Sequence, residues 1–377
     1  MDNFIVSARK YRPSTFKSVV GQDSITSTLK NAIKTGHVAQ AFLFCGPRGV
    51  GKTPCARIFA KALNCEHPSE DFEPCNECSS CRQFNESTSF NVYELDAASN
   101  NSVEDIRSLV EQVRISPQGA KFKVYIIDEV HMLSNQAFNA FLKTLEEPPA
   151  YAKFILATTE KHKIIPTILS RCQVYDFKRI REDDMIKHLQ FVAHSEGVEA
   201  ESEALRVVAE KADGALRDAL SIFDQLVSFT GKKITYNATI ENLNVLDVHQ
   251  YIKITDQLFS EDQTAALLLF DEILAKGFDG QHFISGLAAH FRNLLMAQSN
   301  NTIRLMDIAE SLTSQFVSQA AKADKLLLLR ALEICSQCDF NYKLSNNKRL
   351  SVEICLMQIN ANYLHKAKAA VRQSRER

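Results

Sequence analysis

No stretch of this sequence approaches the roughly 18 consecutive apolar residues of a membrane-spanning helix. The first residues also lack the apolar core of a secretion signal, so a cytosolic protein is expected. Charge of one sign is missing too: 44 Lys and Arg against 45 Asp and Glu leave a formal net charge of −1. There is no global basic field, and any contact with nucleic acid has to come from a local patch. Proline is absent beyond Pro166, so the remaining chain is free of the strongest helix breaker. What is present is ordinary for a soluble globular protein: 45% of residues are hydrophobic and 24% charged, and 377 residues are enough for two or three domains. Ten cysteines in a reducing compartment are not expected to pair as disulfides.

The most informative segment is Gly46-Pro47-Arg48-Gly49-Val50-Gly51-Lys52-Thr53. It follows the apolar run Ala41-Phe42-Leu43-Phe44-Cys45 and precedes a helix-competent stretch, which is the strand, Gly-rich loop, helix context of a phosphate-binding P-loop. The glycines let backbone N–H groups turn inward around polyphosphate oxygens, and the helix adds the positive end of its dipole. Lys52 is expected to reach the β- and γ-phosphates of ATP and the Thr53 hydroxyl to hold Mg²⁺. Pro54 departs from the pattern, because the backbone N–H at that position commonly faces the α-phosphate and proline has none. Either affinity is modestly weaker or the Cys55 N–H substitutes. Downstream, Lys123-Val124-Tyr125-Ile126-Ile127-Asp128-Glu129 reads as a strand buried on both faces and ending in two carboxylates. Asp128 is expected in the Mg²⁺ shell, and Glu129 is expected to orient and deprotonate the attacking water.

Cys65, Cys75, Cys78 and Cys81 form C-x9-C-x2-C-x2-C in a polar segment, 64–82. Four thiolates suit a closed, tetrahedral, structural Zn²⁺ site, and a metal staple gives a coreless loop a reason to be ordered. His67 is read as solvated. Cys335 and Cys338 sit in a helical pattern that merely places both thiols on one face, and Cys45, Cys55 and Cys355 read as core packing.

The first 180 residues fit alternating strands and helices. Strands are predicted at 90–96, 153–159 and 173–177, with helices at 102–113 (N-cap Ser102, with Asp105 as an imperfect capping box) and 134–145. That alternation predicts a doubly wound parallel sheet. Thr158 or Thr159, at a strand end, is placed to contact the γ-phosphate or its water. Helices are expected at 182–197, 202–213 and 216–229, punctuated by Gly197, Gly214 and Gly231. Further leucine-rich helices over 243–364 suggest an oligomerisation domain, followed by a basic, Ala-rich tail.

The ordered set of motifs resembles the gamma/tau clamp-loader ATPase subunits of bacterial DNA polymerase III, of the AAA+ class. The resemblance is carried by Ala8-Arg9-Lys10-Tyr11-Arg12-Pro13, Val19-Val20-Gly21-Gln22, the P-loop and the four-cysteine module. It continues through Ile127-Asp128-Glu129-Val130-His131-Met132-Leu133, Leu156-Ala157-Thr158-Thr159, Leu169-Ser170-Arg171-Cys172 and Gly214-Ala215-Leu216-Arg217-Asp218-Ala219-Leu220. It implies an α/β P-loop AAA+ domain over 1–179 with an inserted zinc module at 64–82. A small helical lid over 180–242, an all-α collar over 243–365 and a basic tail over 366–377 complete the implied order.

The resemblance also implies roles. Arg171 is similar to an arginine finger that reaches the ATP of a neighbouring subunit. Thr158 corresponds to a sensor, Arg217 to the sensor arginine of the lid, and Tyr11, Arg12, Val19 and Val20 to the segment flanking adenine and ribose. The implied job is ATP-gated opening of the sliding clamp and its loading on primer–template DNA. The implied assembly is a hetero-pentamer of copies of this chain with delta and delta-prime subunits, in a DNA-directed DNA polymerase holoenzyme and with no membrane. Family members often carry a C-terminal extension; a sequence ending at Arg377 is then expected to be a short form or a fragment. A catalytically silent scaffold of the same fold and a different AAA+ motor, such as a branch-migration helicase, stand as alternatives. Intact Lys52, Thr53, Asp128 and Glu129 argue against the first. The four-cysteine module and the helical end argue against the second.

Overall fold

The computed structural model describes residues 5–243, 246–260, 262–303, 306 and 310–375. The chain divides into two compact units, one ending at Thr235 and the other beginning at Tyr236.

The first unit opens with α1 (Ser7–Lys10), a 3-10 turn (Phe16–Ser18) and α2 (Asp23–Thr35). The αβ body follows as β1 (Ala41–Cys45), α3 (Lys52–Leu63), α4 (Ser79–Asn85), β2 (Val92–Asp96) and α5 (Val103–Val113). It closes with β3 (Lys123–Asp128), α6 (Asn135–Glu146), β4 (Ala152–Thr158), α7 (Pro166–Leu169) and β5 (Gln173–Asp176). The five strands are all parallel, in the order β2-β3-β4-β1-β5. Side chains alternate across the sheet because the strand period is two. Phe42, Phe44, Val124, Ile126, Ile155 and Ala157 join one core layer with Phe59 of α3. Leu43, Tyr125, Ile127, Phe154 and Leu156 join the other, with Phe141 of α6. Covering both faces explains why β1, β3 and β4 are nearly uninterrupted apolar runs.

Local signals set the helix starts. Ser102 and Asp105 form a complete capping box at α5, and Ser134 accepts from the Ala137 amide at α6. The sequence reading placed the first of the later strands at 90–96; it begins at Val92, because Asn91 turns its carboxamide to the Gln118 backbone (2.8 and 2.9 Å). The lid that ends this unit comprises α8 (Glu182–Glu196), β6 (Glu199–Ala200), α9 (Ser202–Lys211), α10 (Leu216–Thr230) and β7 (Lys233–Ile234). It is not purely helical as expected: β6 and β7 pair in parallel. Two-residue strands carry too little pattern to be read from sequence.

The second unit is all-α: α11 (Tyr236–Leu243), α12 (Val248–Leu258), α13 (Gln263–Ala275), α14 (Gly280–Ala297), α15 (Asn300–Ile303), α16 (Glu310–Lys322), α17 (Lys325–Tyr342) and α18 (Lys348–Arg375). Asp247, Asp262, Asp279 and Asp324 cap α12, α13, α14 and α17 by accepting first-turn amides. Its core gathers Phe270, Phe283, Phe291 and Phe316, with Cys335, Cys338 and Cys355 buried among them as packing residues. The basic tail is helical to Arg375, and residues 376–377 lie outside the described residues. No helix among the described residues is long and apolar enough to cross a membrane.

Candidate functional site

The P-loop leaves β1 at its carboxyl end, beside the end of β4 and one strand from that of β3, where open α/β sheets place their ligands. Its turn needs glycine. Gly46 has φ 146°, and a Cβ there would lie 2.4 Å from the Phe177 carbonyl oxygen. Gly51 (φ 101°) is the N-cap of α3, so the loop's amides and the helix N-terminus open on the same space.

Lys52 is buried, and its ammonium donates to the carbonyls of Gly46 and Pro47, both at 2.8 Å. Burial lowers its pKa, opposed by the charges of Glu129 and Asp128. The Thr53 hydroxyl donates to Asp128 Oδ2 at 2.6 Å, so the two groups expected to share Mg²⁺ already touch. A hydroxyl and a carboxylate form an all-oxygen partial shell, which fits Mg²⁺, a cation that keeps several waters. Asp128 also receives the Glu129 amide at 2.9 Å. Glu129 has φ 47°, an uncommon conformation for glutamate. Its Oε2 accepts from the Thr159 amide (3.2 Å) and hydroxyl (3.0 Å).

Thr158 and Thr159 therefore divide the strand end. Thr158 is fully buried, its hydroxyl 3.0 Å from His131 Nδ1 and accepting the Glu160 amide at 3.0 Å. Thr159 is the residue that meets Glu129. His131, which sequence reasoning passed over, lies 3.4 Å from Glu129 Oε2 and 3.3 Å from Glu160 Oε1. An open cleft of about 660 Å³, lined by Gly46, Pro47, Thr159, Lys161 and Asp176 among others, adjoins this corner.

The Cys55 amide is not free to replace the donor that Pro54 lacks, because it bonds the Gly51 carbonyl at 3.0 Å. Pro54 itself is the third residue of α3, where an amide has no partner within the helix and a proline ring is tolerated.

Arg217 stands in the first turn of α10, and its lid is stitched to the loop at close range. A Cβ on Gly49 (φ 78°) would lie 2.9 Å from Ala215 Cβ and 3.5 Å from Arg217 Cβ. Arg12 is lowered from its ordinary pKa by loss of water around its guanidinium and then by repulsion from Arg57; it also feels Glu94, Asp128 and Arg217. Arg12 thus shares an electrostatic neighbourhood with Asp128 and Arg217. Tyr11 is committed elsewhere: its hydroxyl bonds Glu196 of α8, which also pairs with Lys10 at 2.7 Å. Val19 is buried and its Cγ1 would stand 3.6 Å from a Cβ on Gly51, while Val20 is half-buried. Gln22 follows the Val19-Val20 pair at the N-cap of α2. Its carboxamide donates to the Val50 (3.4 Å) and Lys178 (2.7 Å) carbonyls and accepts the Lys178 amide (3.3 Å), fastening the P-loop to the chain entering the lid.

Arg171 is on the surface, after α7. Its guanidinium donates to the Thr167 carbonyl (2.8 Å) and to Glu146 (2.7 Å).

The four cysteines converge: the sulfurs of Cys65, Cys75, Cys78 and Cys81 all lie within 4.8 Å of one another, with Cys75 and Cys81 at 3.9 Å. A tetrahedral Zn²⁺ with bonds of about 2.3 Å sets its sulfurs about 3.8 Å apart, so the donor set and its spacing fit that ion. Backbone amides point at the sulfurs: Cys75 N–H to Cys65 (3.3 Å), and Glu77 (3.5 Å) and Cys78 (3.3 Å) N–H to Cys75. Burial raises the Cys75 thiol, but the Cys78 and Glu77 amides outweigh it and bring it down to about 6, whereas burial raises the Cys65 and Cys81 thiols.

A parallel sheet with a P-loop on β1, an acidic end on β3 two places away, and an arginine-bearing lid over the loop define a P-loop fold of the AAA+ type. Two family profiles match the chain: DNA polymerase III, delta subunit, over residues 21–181, and DNA polymerase III clamp loader subunit, ATPase lid domain, over 184–232. DNA polymerase III subunit tau of Bacillus subtilis is 39% identical over 93% of this chain, which spans 62% of that protein. DNA polymerase III subunit gamma of Buchnera aphidicola from Schizaphis graminum is 34% identical over 94% of this chain and 98% of its own length. Among solved structures, the Thermotoga maritima RuvB Holliday junction branch migration motor is similar at 20% identity and a TM-score of 0.46, over 66% of this chain and 80% of that one. The chain belongs to the gamma/tau subunit family of DNA polymerase III.

Proposed function

We propose that this chain is an ATP-hydrolysing clamp-loader subunit, acting in the cytoplasm to load the sliding clamp on primer–template DNA during replication. The observation that carries the reading is the Thr53–Asp128 contact at 2.6 Å beside Lys52 and Glu129, in a gamma/tau family member. Lys52 exchanges the Gly46 and Pro47 carbonyls for β- and γ-phosphate oxygens. Thr53 and Asp128 hold Mg²⁺, which when bound neutralises charge on those oxygens. Glu129 takes the proton of the attacking water, with Thr159 fixing which carboxylate oxygen stays engaged. Thr158 supports this corner from the buried side. Arg217 answers the phosphates from the lid of the same chain, and Arg171 serves the site of a neighbouring subunit. Arg12, Val19 and Val20 border the nucleoside, with Tyr11 tethering that segment to the lid through Glu196.

Cys65, Cys75, Cys78 and Cys81 hold a structural Zn²⁺. Residues 1–179 act as nucleotide-binding domain, 180–242 as lid, its last helix α11 belonging to the second compact unit, and 243–365 as collar, which assembles copies of this chain with delta and delta-prime subunits. The deciding experiment is ATP turnover by the protein alone and with partner subunits, sliding clamp and primed DNA. Stimulation by clamp and primed DNA together is expected, and turnover indifferent to both rejects the clamp-loading role. A silent-scaffold reading has less support, since it gives Lys52, Thr53, Asp128 and Glu129 no reason to be assembled in one place.

A further inference from the structure

The four-cysteine loop makes a contact that has nothing to do with sulfur. Between Cys65 and Cys75, the Glu73 carboxylate reaches back to the start of the chain, where it accepts the Phe16 amide at 2.7 Å and the Lys17 amide at 3.0 Å. Lys30 of α2 pairs with the same carboxylate at 2.7 Å, and the Glu73 side chain is 16% exposed. These amides open the 3-10 turn Phe16–Ser18, where helical N–H groups have no partner of their own. Glu73 supplies it, in a partly dry setting where charge-assisted bonds are strong.

The segment so fastened is a wall of the P-loop. Phe16 is buried in the same core layer as Val50, Cys55 and Phe59. Three residues on, Val19 stands against Gly51, and Gln22 bonds the Val50 carbonyl. Glu73 is held in turn by its own loop: its amide donates to Ser69 Oγ (3.1 Å) and its carbonyl accepts the Ser69 amide (3.0 Å). That turn lies between Cys65 and Cys75, which converge on the sulfur cluster.

We propose that Glu73 is a positioning residue through which the four-cysteine module fastens residues 16–22 against the P-loop, so that nucleotide affinity depends on the closed module. The proposal rests on the nucleotide and metal readings above. When the module is open, the wall samples detached states, and apparent affinity falls by the fraction of time the wall is in place. The chemistry at Glu129 is untouched, so the effect belongs to binding and KM rather than to turnover at saturation.

The test uses the full chain and its Glu73→Ala and Glu73→Gln variants. Four quantities are measured: bound zinc, ATPγS affinity by calorimetry, amide exchange at Phe16 and Lys17, and ATP turnover. Glu73→Ala is expected to keep its metal, lose protection at both amides and bind ATPγS roughly tenfold more weakly, with kcat within about twofold. Glu73→Gln keeps an acceptor without the charge and should fall between. Chelating the wild type should reproduce the weakening, and chelating Glu73→Ala should add little, because both remove one linkage. ATPγS affinity unchanged in a metal-loaded Glu73→Ala protein overturns the proposal, as do fully additive effects of variant and chelation. Should Glu73→Ala fail to fold, Lys30→Met removes only the counter-charge and is expected to weaken binding in the same direction; unchanged affinity there counts against the proposal. A wild type that binds no ATPγS rejects the nucleotide reading instead, and amide exchange at Phe16 and Lys17 on chelation then decides the fastening alone.

Discussion

Glu129 and Thr159 form a two-point contact: one carboxylate oxygen accepts both the amide (3.2 Å) and the hydroxyl (3.0 Å) of the threonine. The bond ties the base expected to activate water to the end of β4, on the strand between β3 and the P-loop strand. It also makes the two adjacent threonines unequal, which gives a direct test.

Glu129→Gln should bind ATP normally and lose turnover by roughly 10²–10⁴, since an amide keeps the shape but cannot take the proton. Thr159→Val should lower kcat several-fold at unchanged ATP affinity, a lost bond being worth about 1 kcal/mol. Thr158→Val should instead cost about 1 kcal/mol of stability, because the half-buried Glu160 amide loses its acceptor. Steady-state ATPase and urea unfolding separate the cases. Wild-type turnover in Glu129→Gln rejects the role assigned to that carboxylate.

Lys52→Ala should abolish ATP binding itself, through loss of a charge-assisted contact to the phosphates. Pro54→Ser should tighten it by about 0.5–1.5 kcal/mol if the new amide reaches phosphate. The Cys55 amide is already spent on Gly51, so it offers no substitute that masks the gain. Equal affinities in calorimetry mean that water fills the gap.

Arg171→Ala should fold, assemble and bind ATP, yet hydrolyse poorly; fingers in other NTPases contribute about 10³–10⁵ in rate. Its present bond to exposed Glu146 is a surface pair, worth about 1 kcal/mol or less, and easily released. In mixed assemblies, a subunit lacking Arg171 but keeping Lys52 and Glu129 should regain turnover beside a neighbour that supplies Arg171. Activity that follows only chains carrying both Arg171 and Glu129 places the finger in cis and ends the trans reading.

Metal removal should open the loop around Cys65, Cys75, Cys78 and Cys81 while sparing the sheet, whose core lies in separate apolar layers. Hydrogen exchange before and after chelation reads both regions. Well under one zinc per chain after metal-free purification, with four freely titratable thiols, rejects the site.

His290, in the core of the second unit, is lowered to about 4 by burial, against a smaller upward pull from its bond to Gln319 (2.8 Å). Asp256, joined to Gln319, adds a further weak upward pull. Below its ordinary pKa of 6.5 the unfolded chain takes up a proton that the folded one refuses, so stability falls as pH drops from 6.5 towards 4. The loss is about 1.4 kcal/mol per pH unit in that window. Urea unfolding followed by circular dichroism at pH 7.5 and 5.5 should show it, and His290→Gln should flatten the difference. An identical pH response in that variant assigns the effect to other groups.

Much of this protein was legible as local pattern. The apolar runs of β1, β3 and β4, the Gly-Pro-Arg-Gly-Val-Gly-Lys-Thr loop, the Ser102 and Ser134 caps and the cysteine spacing each depend on residues a few positions apart. Their physics, strand burial, phosphate-loop geometry and ligand spacing, is short-range, so the sequence by itself determined a P-loop on a parallel sheet and a four-thiol cluster. It also located the acidic end of β3. What the tertiary structure alone decided are relations between distant segments. Thr159 rather than Thr158 meets Glu129 because β4 ends at Thr158, whose hydroxyl is engaged with His131 and the Glu160 amide, and the chain bends at Thr159. Arg217 lies over Gly49 because the loop before α10 packs against a glycine that has no Cβ to exclude it. Glu73 caps Phe16 across 57 positions of chain, a pairing that no periodicity encodes. Such contacts depend on how separate elements close over one another, and only the packed fold fixes that.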